Sequence, residues 1–165
     1  MRAPHPARWA VGAWNCSRAA ARLADPDTGR DAGAYVLAQV SLRSAPVART
    51  TAFVRTGFAN PDLNPIAAAL DAGLLIEDPW GPSGPAAVTV GVASAAIGAP
   101  FRRLLEARGQ TASRREIAIE ADVRWKMRHG LAVQPLVQHV QAAGGRAGRN
   151  ATIAGARVEW SPPAP

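Results

Sequence analysis

Residues 116–128 read Glu116-Ile-Ala-Ile-Glu-Ala-Asp-Val-Arg-Trp-Lys-Met-Arg128. As a strand, the stretch puts Ile117, Ile119, Ala121, Val123, Trp125 and Met127 on one face. The other face carries Glu116, Ala118, Glu120, Asp122, Arg124, Lys126 and Arg128, because successive side chains of a strand point to opposite sides. A helical period of 3.6 does not sort odd from even positions and would spread the charges around the element. The stretch is therefore a two-faced β ribbon. At about 9–11 residues per crossing, it is also long enough to traverse a bilayer as one tilted strand.

The rest of the chain fits such a ribbon better than a dense globular core. Of 165 residues, 48% are hydrophobic, much of that alanine, and 15 glycines and 14 prolines interrupt them. Small residues suit a sheet whose apolar face meets lipid or a neighbouring surface. The formal charge is +7, and Lys126 is the sole lysine among 19 basic residues. A basic excess raises nucleic acid as a partner. These arginines are interspersed with acids and form neither a basic run nor a basic helix, so no nucleic-acid partner is expected. Cys16 is alone, which excludes an intramolecular disulfide and a cysteine-based metal site. His5, His129 and His139 share no ligand spacing, and neither a metal nor a cofactor is expected. No apolar run approaches the length of a membrane helix, and Trp9–Trp14, broken by Gly12, is too short for a secretory leader. An exported protein with this sequence would be incomplete.

Further alternating segments lie between turn-forming clusters. Strands are expected over 8–15, 34–43, 50–58, 87–96, 131–141 and 150–160, with a shorter and weaker one over 70–77. Turns or loops are expected at 24–33, 59–65, 81–85, 129–130 and 142–149, and a helical turn or long loop over 100–113. With residues 116–128 this makes about eight strands. The absence of βαβ alternation excludes a parallel sheet and leaves an all-β, antiparallel up-and-down meander.

Several strings then resemble one family. They are Phe53-Val-Arg-Thr-Gly-Phe-Ala-Asn-Pro-Asp-Leu-Asn-Pro65, Ala72-Gly-Leu-Leu75, Val90-Gly-Val-Ala93, Glu116 through Glu120 to Arg124-Trp125, Leu131-Ala-Val-Gln-Pro-Leu-Val-Gln-His-Val140, Gly144-Gly145 and Gly155-Ala-Arg157. Their order and spacing are similar to the carboxy-terminal part of carbohydrate-selective (OprB-type) porins. Trp9–Trp14 and Gly33–Val36 look like preceding strands of the same family. The resemblance implies a single partial barrel domain over 1–165 with disordered ends at 1–7 and 161–165. It would form roughly half of a sixteen-stranded barrel in the bacterial outer membrane, through which sugars diffuse passively. The implied partners are mono- or oligosaccharides as permeants and outer-membrane lipid, with a homo-oligomer allowed.

On this reading Arg55, Glu116, Glu120, Asp122, Arg124, Lys126, Gln134, Gln138 and Arg157 line the pore and contact solute, with Arg124 and Arg157 foremost. Ile117, Ile119, Val123, Val133, Val137, Val158 and Trp160 face lipid, and Trp125 and Trp160 suit an aromatic girdle. An enzyme is not expected. Glu116 and Glu120, four residues apart on a strand, lie about 13 Å apart, beyond the roughly 6.5–9.5 Å used by inverting glycosidases. No nucleophile elbow or phosphate loop is present. Two other readings stay open: a soluble or periplasmic small β-barrel or sandwich that binds a ligand, and an inactive truncated porin. A soluble protein must cover Ile117, Ile119, Val123 and Trp125, whereas a porin leaves them exposed.

Overall fold

The computed structural model describes residues 7–42, 49–80 and 85–161. Eight strands form a single sheet in sequence order, each antiparallel to the next: β1 Ala7–Ala21, β2 Thr28–Leu42, β3 Arg49–Ala59, β4 Ile66–Glu77, β5 Ala87–Ile97, β6 Arg115–Lys126, β7 Leu131–Gln141 and β8 Ala151–Trp160. One helix, α1 (Ala99–Ala107), occupies the connection between β5 and β6. The strands are 10–15 residues long, enough for each to cross a bilayer.

The ribbon at 116–128 is shorter than its alternation suggests. It begins at Arg115 and ends at Lys126, because the turn to β7 starts at Arg128. Three other boundaries also move. β1 runs on to Ala21 through a register shift between Asn15 and Ala19, which breaks the two-residue period that would have revealed it. β2 starts at Thr28, so more than half of the expected 24–33 loop is strand: Thr28, Gly29 and Arg30 pair with Ala21, Ala20 and Ala19, overriding their poor strand propensity. β4 starts at Ile66 rather than Leu70. The 100–113 segment supplies α1, opened by Pro100 in its first turn and followed by Gly109 at φ +71°. The expected turn at 81–85, apart from Pro85, and the expected disordered ends, apart from Ala7 and Ser161, lie outside the described residues. Ala7 pairs with Val40, and the Ser161 N–H donates to the Gly130 carbonyl at 2.9 Å.

No second layer covers the sheet among the described residues. Among the described residues the buried apolar side chains are few, namely Ile97, Pro100, Leu105, Ala132 and Val140, with no large side chain fully enclosed. β6 shows the consequence. Asp122 is only 7% exposed, while Ile119 and Trp125 on the opposite face are 54% and 40% exposed. The same apolar face continues through Val36, Val54, Leu70, Val90, Val137 and Val158, all exposed. A soluble sandwich would invert this distribution, so the open alternative of a small soluble domain does not match the structure.

The two ends of the sheet differ. At the α1 end, neighbouring connections are laced together. The Leu23 N–H donates to the Asp62 carbonyl (2.8 Å), Asn60 to Ala32 (3.0 Å), Gly98 to Pro65 (2.8 Å), Ser113 to Gly145 (2.8 Å) and Ala147 to Thr111 (2.8 Å). An Arg22–Asp62 ion pair at 3.5 Å joins the same belt. At the other end the β6–β7 turn is tight, with His129 and Gly130 both at positive φ (60° and 74°). A Cβ on Gly130 would lie 1.8 Å from the Ser161 carbonyl oxygen, whereas one on Gly109 would meet nothing within 4 Å. Gly130→Ala is therefore expected to cost about 1–3 kcal/mol or more in urea unfolding from detergent micelles, and Gly109→Ala only about 1 kcal/mol. Equal losses for the two variants would contradict the turn geometry.

Candidate functional site

Cross-strand partners in an antiparallel sheet share a face, so the register sorts every strand residue. One row runs Arg8, Gln39, Phe53, Gly73, Gly91, Glu120, Gln138, Ile153. A neighbouring row runs Ala10, Leu37, Arg55, Asp71, Ala93, Ala118, Val140, Ala151. Extending the alternation places Arg55, Glu116, Glu120, Asp122, Arg124, Lys126, Gln134, Gln138 and Arg157 on one and the same face. Ile117, Ile119, Val123, Val133, Val137, Val158 and Trp160 all fall on the other.

The charges of the polar face nearly cancel. Arg8, Arg49, Arg55, Arg124, Lys126 and Arg157 stand against Asp31, Asp71, Glu77, Glu116, Glu120, Asp122 and Glu159. The excess positive charge of the chain thus lies off this wall, much of it at the α1 end, where Arg102, Arg103 and Arg114 cluster.

Across β6, β7 and β8 most of the polar side chains contact one another. The Gln134 amide Nε2 donates to Asp122 Oδ1 at 2.8 Å, and Gln138 Nε2 to Glu120 Oε2 at 3.2 Å. Arg124 and Arg157 both reach Glu159, at 2.5 and 3.2 Å, which links β6 to β8 over the intervening β7. Burial of Asp122 makes its amide donor matter, since a desolvated carboxylate oxygen without a partner is expensive. Glu116 holds structure instead: its Oε2 accepts from the Gly144 N–H at 2.5 Å, tying β6 to the β7–β8 connection.

The β1–β5 part is built differently. Trp14, Tyr35 and Phe53 lie on the polar face, directly opposite Gly33, Gly12 and Gly73. A Cβ on any of these three glycines would lie 2.1–2.5 Å from the opposing ring, so each aromatic lies across a strand that has no side chain there. The Arg55 guanidinium sits 5.1 Å from the Phe53 ring centroid. Asp71, directly across from Arg55, makes no ion pair with it among the described residues. A concavity of about 610 Å³ opens on this face, lined by residues from β1 through β5. The aromatics escaped sequence reasoning that searched the polar face for charge, and Asp71 lay in the weaker strand expected over 70–77. The alternation that placed Arg55 also places Phe53 two residues away.

The opposite face is apolar with a few polar breaks, including a His139 Nδ1–Thr152 Oγ1 contact at 2.9 Å. Among the described residues no grouping of three or more His, Cys, Asp or Glu side chains is arranged to hold a metal ion.

The family model of carbohydrate-selective porins, OprB family, matches residues 8–161. The chain belongs to the carbohydrate-selective porin family. That family is one of channels rather than enzymes. The fold is similar to the high-pH structure of OprB from Pseudomonas putida, with a TM-score of 0.80 at 16% identity over 94% of this chain. The match spans 44% of that protein, so the porin chain described here covers less than half its length. No curated protein sequence matches it.

In this porin sheet, the Gln134–Asp122 bond and the exposed Arg157 contact should differ in weight. Gln134→Leu leaves Asp122 without its donor and is expected to cost about 1–3 kcal/mol in urea unfolding from micelles. Arg157→Gln, at a guanidinium whose side chain is 70% exposed, should leave the midpoint nearly unchanged. The reverse order would show that burial does not control these pairs.

Proposed function

We propose that this chain forms part of the wall of a bacterial outer-membrane porin through which neutral sugars diffuse. The observation that carries the reading is the inverted distribution of the sheet: Ile119 and Trp125 are exposed while Asp122 is enclosed, in a chain of the carbohydrate-selective porin family. An exposed apolar band fits hydrocarbon, and a charge-balanced, hydrogen-bonding face fits a water-filled lumen. Near-neutrality of that face suits uncharged permeants, which it recognises through donors and acceptors rather than through net charge.

On this reading Arg55, Glu120, Asp122, Arg124, Lys126, Gln134, Gln138 and Arg157 face the lumen. Glu116 mainly fastens the β7–β8 connection. Residues 1–165 act as one partial barrel domain, with lipid on the outer side and self-association as one way of supplying further strands. Those strands are needed because eight strands closed on themselves would fill their interior with side chains and leave no passage.

Flotation with liposomes of outer-membrane lipid, followed by a carbonate wash and planar-bilayer recording, tests the proposal. The chain should remain with the liposomes but give no current or only irregular current. Failure to stay with the membrane would overturn the porin reading. Steady, sugar-permeable channels formed by this chain alone would overturn the partial-wall reading.

A further inference from the structure

The apolar face of the sheet carries no carboxylate at any paired strand position, and its only full charges there are Arg30 and Arg115. Arg115 pairs with Ala96 and alternates with Ile117 and Ile119, which fixes it on that side. Arg30 pairs with Ala19 on β1. Both arginines are exposed, both lie toward the α1 end of their strands, and neither has an ion pair among the described residues. A cation on a lipid-facing side is tolerated where its head reaches water or an anion. With no acid on this face, the anion must come from outside the chain.

The depth of Arg115 fits that requirement. It opens β6, and Trp125 on the same face is the last residue but one of that strand. Their separation of about ten residues is about 33 Å along the strand and, at a tilt of about 40°, about 25 Å along the membrane normal. An outer-membrane barrel has an apolar band of about that height. With Trp125 at one border, Arg115 therefore stands at the other. The neighbouring strands turn polar at the same border. Gln141 lies directly across from Ile117, which makes it the diagonal neighbour of Arg115. Its amide is exposed and has no hydrogen bond among the described residues. Beside it His139 Nδ1 and Thr152 Oγ1 join β7 to β8 at 2.9 Å, and below them the face returns to Val137 and Ala154.

The connections assign this border to a leaflet. The longest of them, residues 98–114 with α1, lies at the Arg115 end of the sheet, and the tight turn at Arg128–Gly130 lies at the other. Barrels of this kind carry short turns on the periplasmic side and longer loops outside. The α1 end thus meets the outer leaflet, which in a bacterial outer membrane is a phosphorylated glycolipid.

We infer that Arg115 and Gln141 form a site on the outer rim for the phosphate group of a glycolipid headgroup. The inference rests on the porin reading and deepens it. A guanidinium fork matches two phosphate oxygens, the amide Nε2 donates a further bond, and no carboxylate on this face competes for either. A free phosphate ion offers the same oxygens but lacks acyl chains to lie over Ile117 and Ile119, so the lipid is the source that fits both halves of the border.

The test is titration calorimetry on the whole chain in lauryl dimethylamine oxide micelles, with diphosphoryl lipid A as the probe. Inorganic phosphate and phosphatidylcholine are the comparisons. Lipid A should bind saturably, and each comparison at least about tenfold more weakly. Arg115→Gln should weaken lipid A by about tenfold or more, as expected for one charge-assisted hydrogen bond, and Gln141→Ala by less. Arg49→Gln, which removes the same charge from the polar face at the far end of the sheet, should change nothing. Far-UV circular dichroism checks that each variant folds. If Arg115→Gln does not, Arg115→Lys, which keeps the charge and loses the fork, carries the test with a smaller loss. Absence of saturable binding, equal affinity in the Arg115 variants, or inorganic phosphate binding as tightly as lipid A would overturn the site. Loss of the site alone would leave membrane retention intact, whereas failure of the porin reading would show first in flotation.

Discussion

One constraint holds the structure together: seven consecutive strand pairings keep a two-residue alternation in phase, so that nearly all the strand carboxylates and cations share one face while the other stays mainly apolar. A slip of one residue at any pairing would carry every later side chain to the opposite face. Between β5 and β6 it would take Glu120 and Asp122 to the face of Val90 and Val92, against lipid on the porin reading. A sheet without a core behind it has little else to fix its register. Its stability therefore rests on backbone ladders, on cross-strand side-chain pairs, and on the apolar face finding a non-aqueous environment. The tight turn at His129-Gly130 and the laced belt of connections at the α1 end pin the ladder from both ends.

The same phase produces the polar wall. Because partners share a face, Gln134 meets Asp122, Gln138 meets Glu120, and Arg124 reaches Glu159 two strands away. Most polar side chains of the β6–β8 part of the wall are thereby paired with one another. The part from β1 to β5 trades charges for aromatics laid over opposing glycines, and keeps Arg55 stacked but otherwise free. One face thus has a bank whose polar side chains pair with one another and a bank built on aromatic rings laid over glycines.

Much of this was legible in the sequence, and what was hidden has physical causes. β6 alternates almost without interruption and β5 and β7 largely do, so their existence and their main faces follow from period alone. Residues 16–21 lost their signal to the irregularity between Asn15 and Ala19. Residues 28–33 are glycine, aspartate, arginine and alanine after Thr28, which read as a turn and become strand because β1 offers a continuous ladder. The common face of the nine polar residues followed from parity. The choice among them did not, since which donor finds which acceptor depends on cross-strand register. Arg124 and Arg157, foremost by motif, are tied to Glu159, while Asp71 and Phe53 emerge only when β3 and β4 are aligned.

The central claim is that the exposed apolar face of this sheet meets lipid and its charged face meets water. Fluorescence quenching by lipids brominated along the acyl chain measures this directly, using single-tryptophan variants that retain either Trp125 on the apolar face or Trp14 on the polar face. Strong quenching of Trp125 with little quenching of Trp14 is the predicted result. Equal quenching of both, or quenching of Trp14 alone, would contradict the assignment of faces on which the account depends.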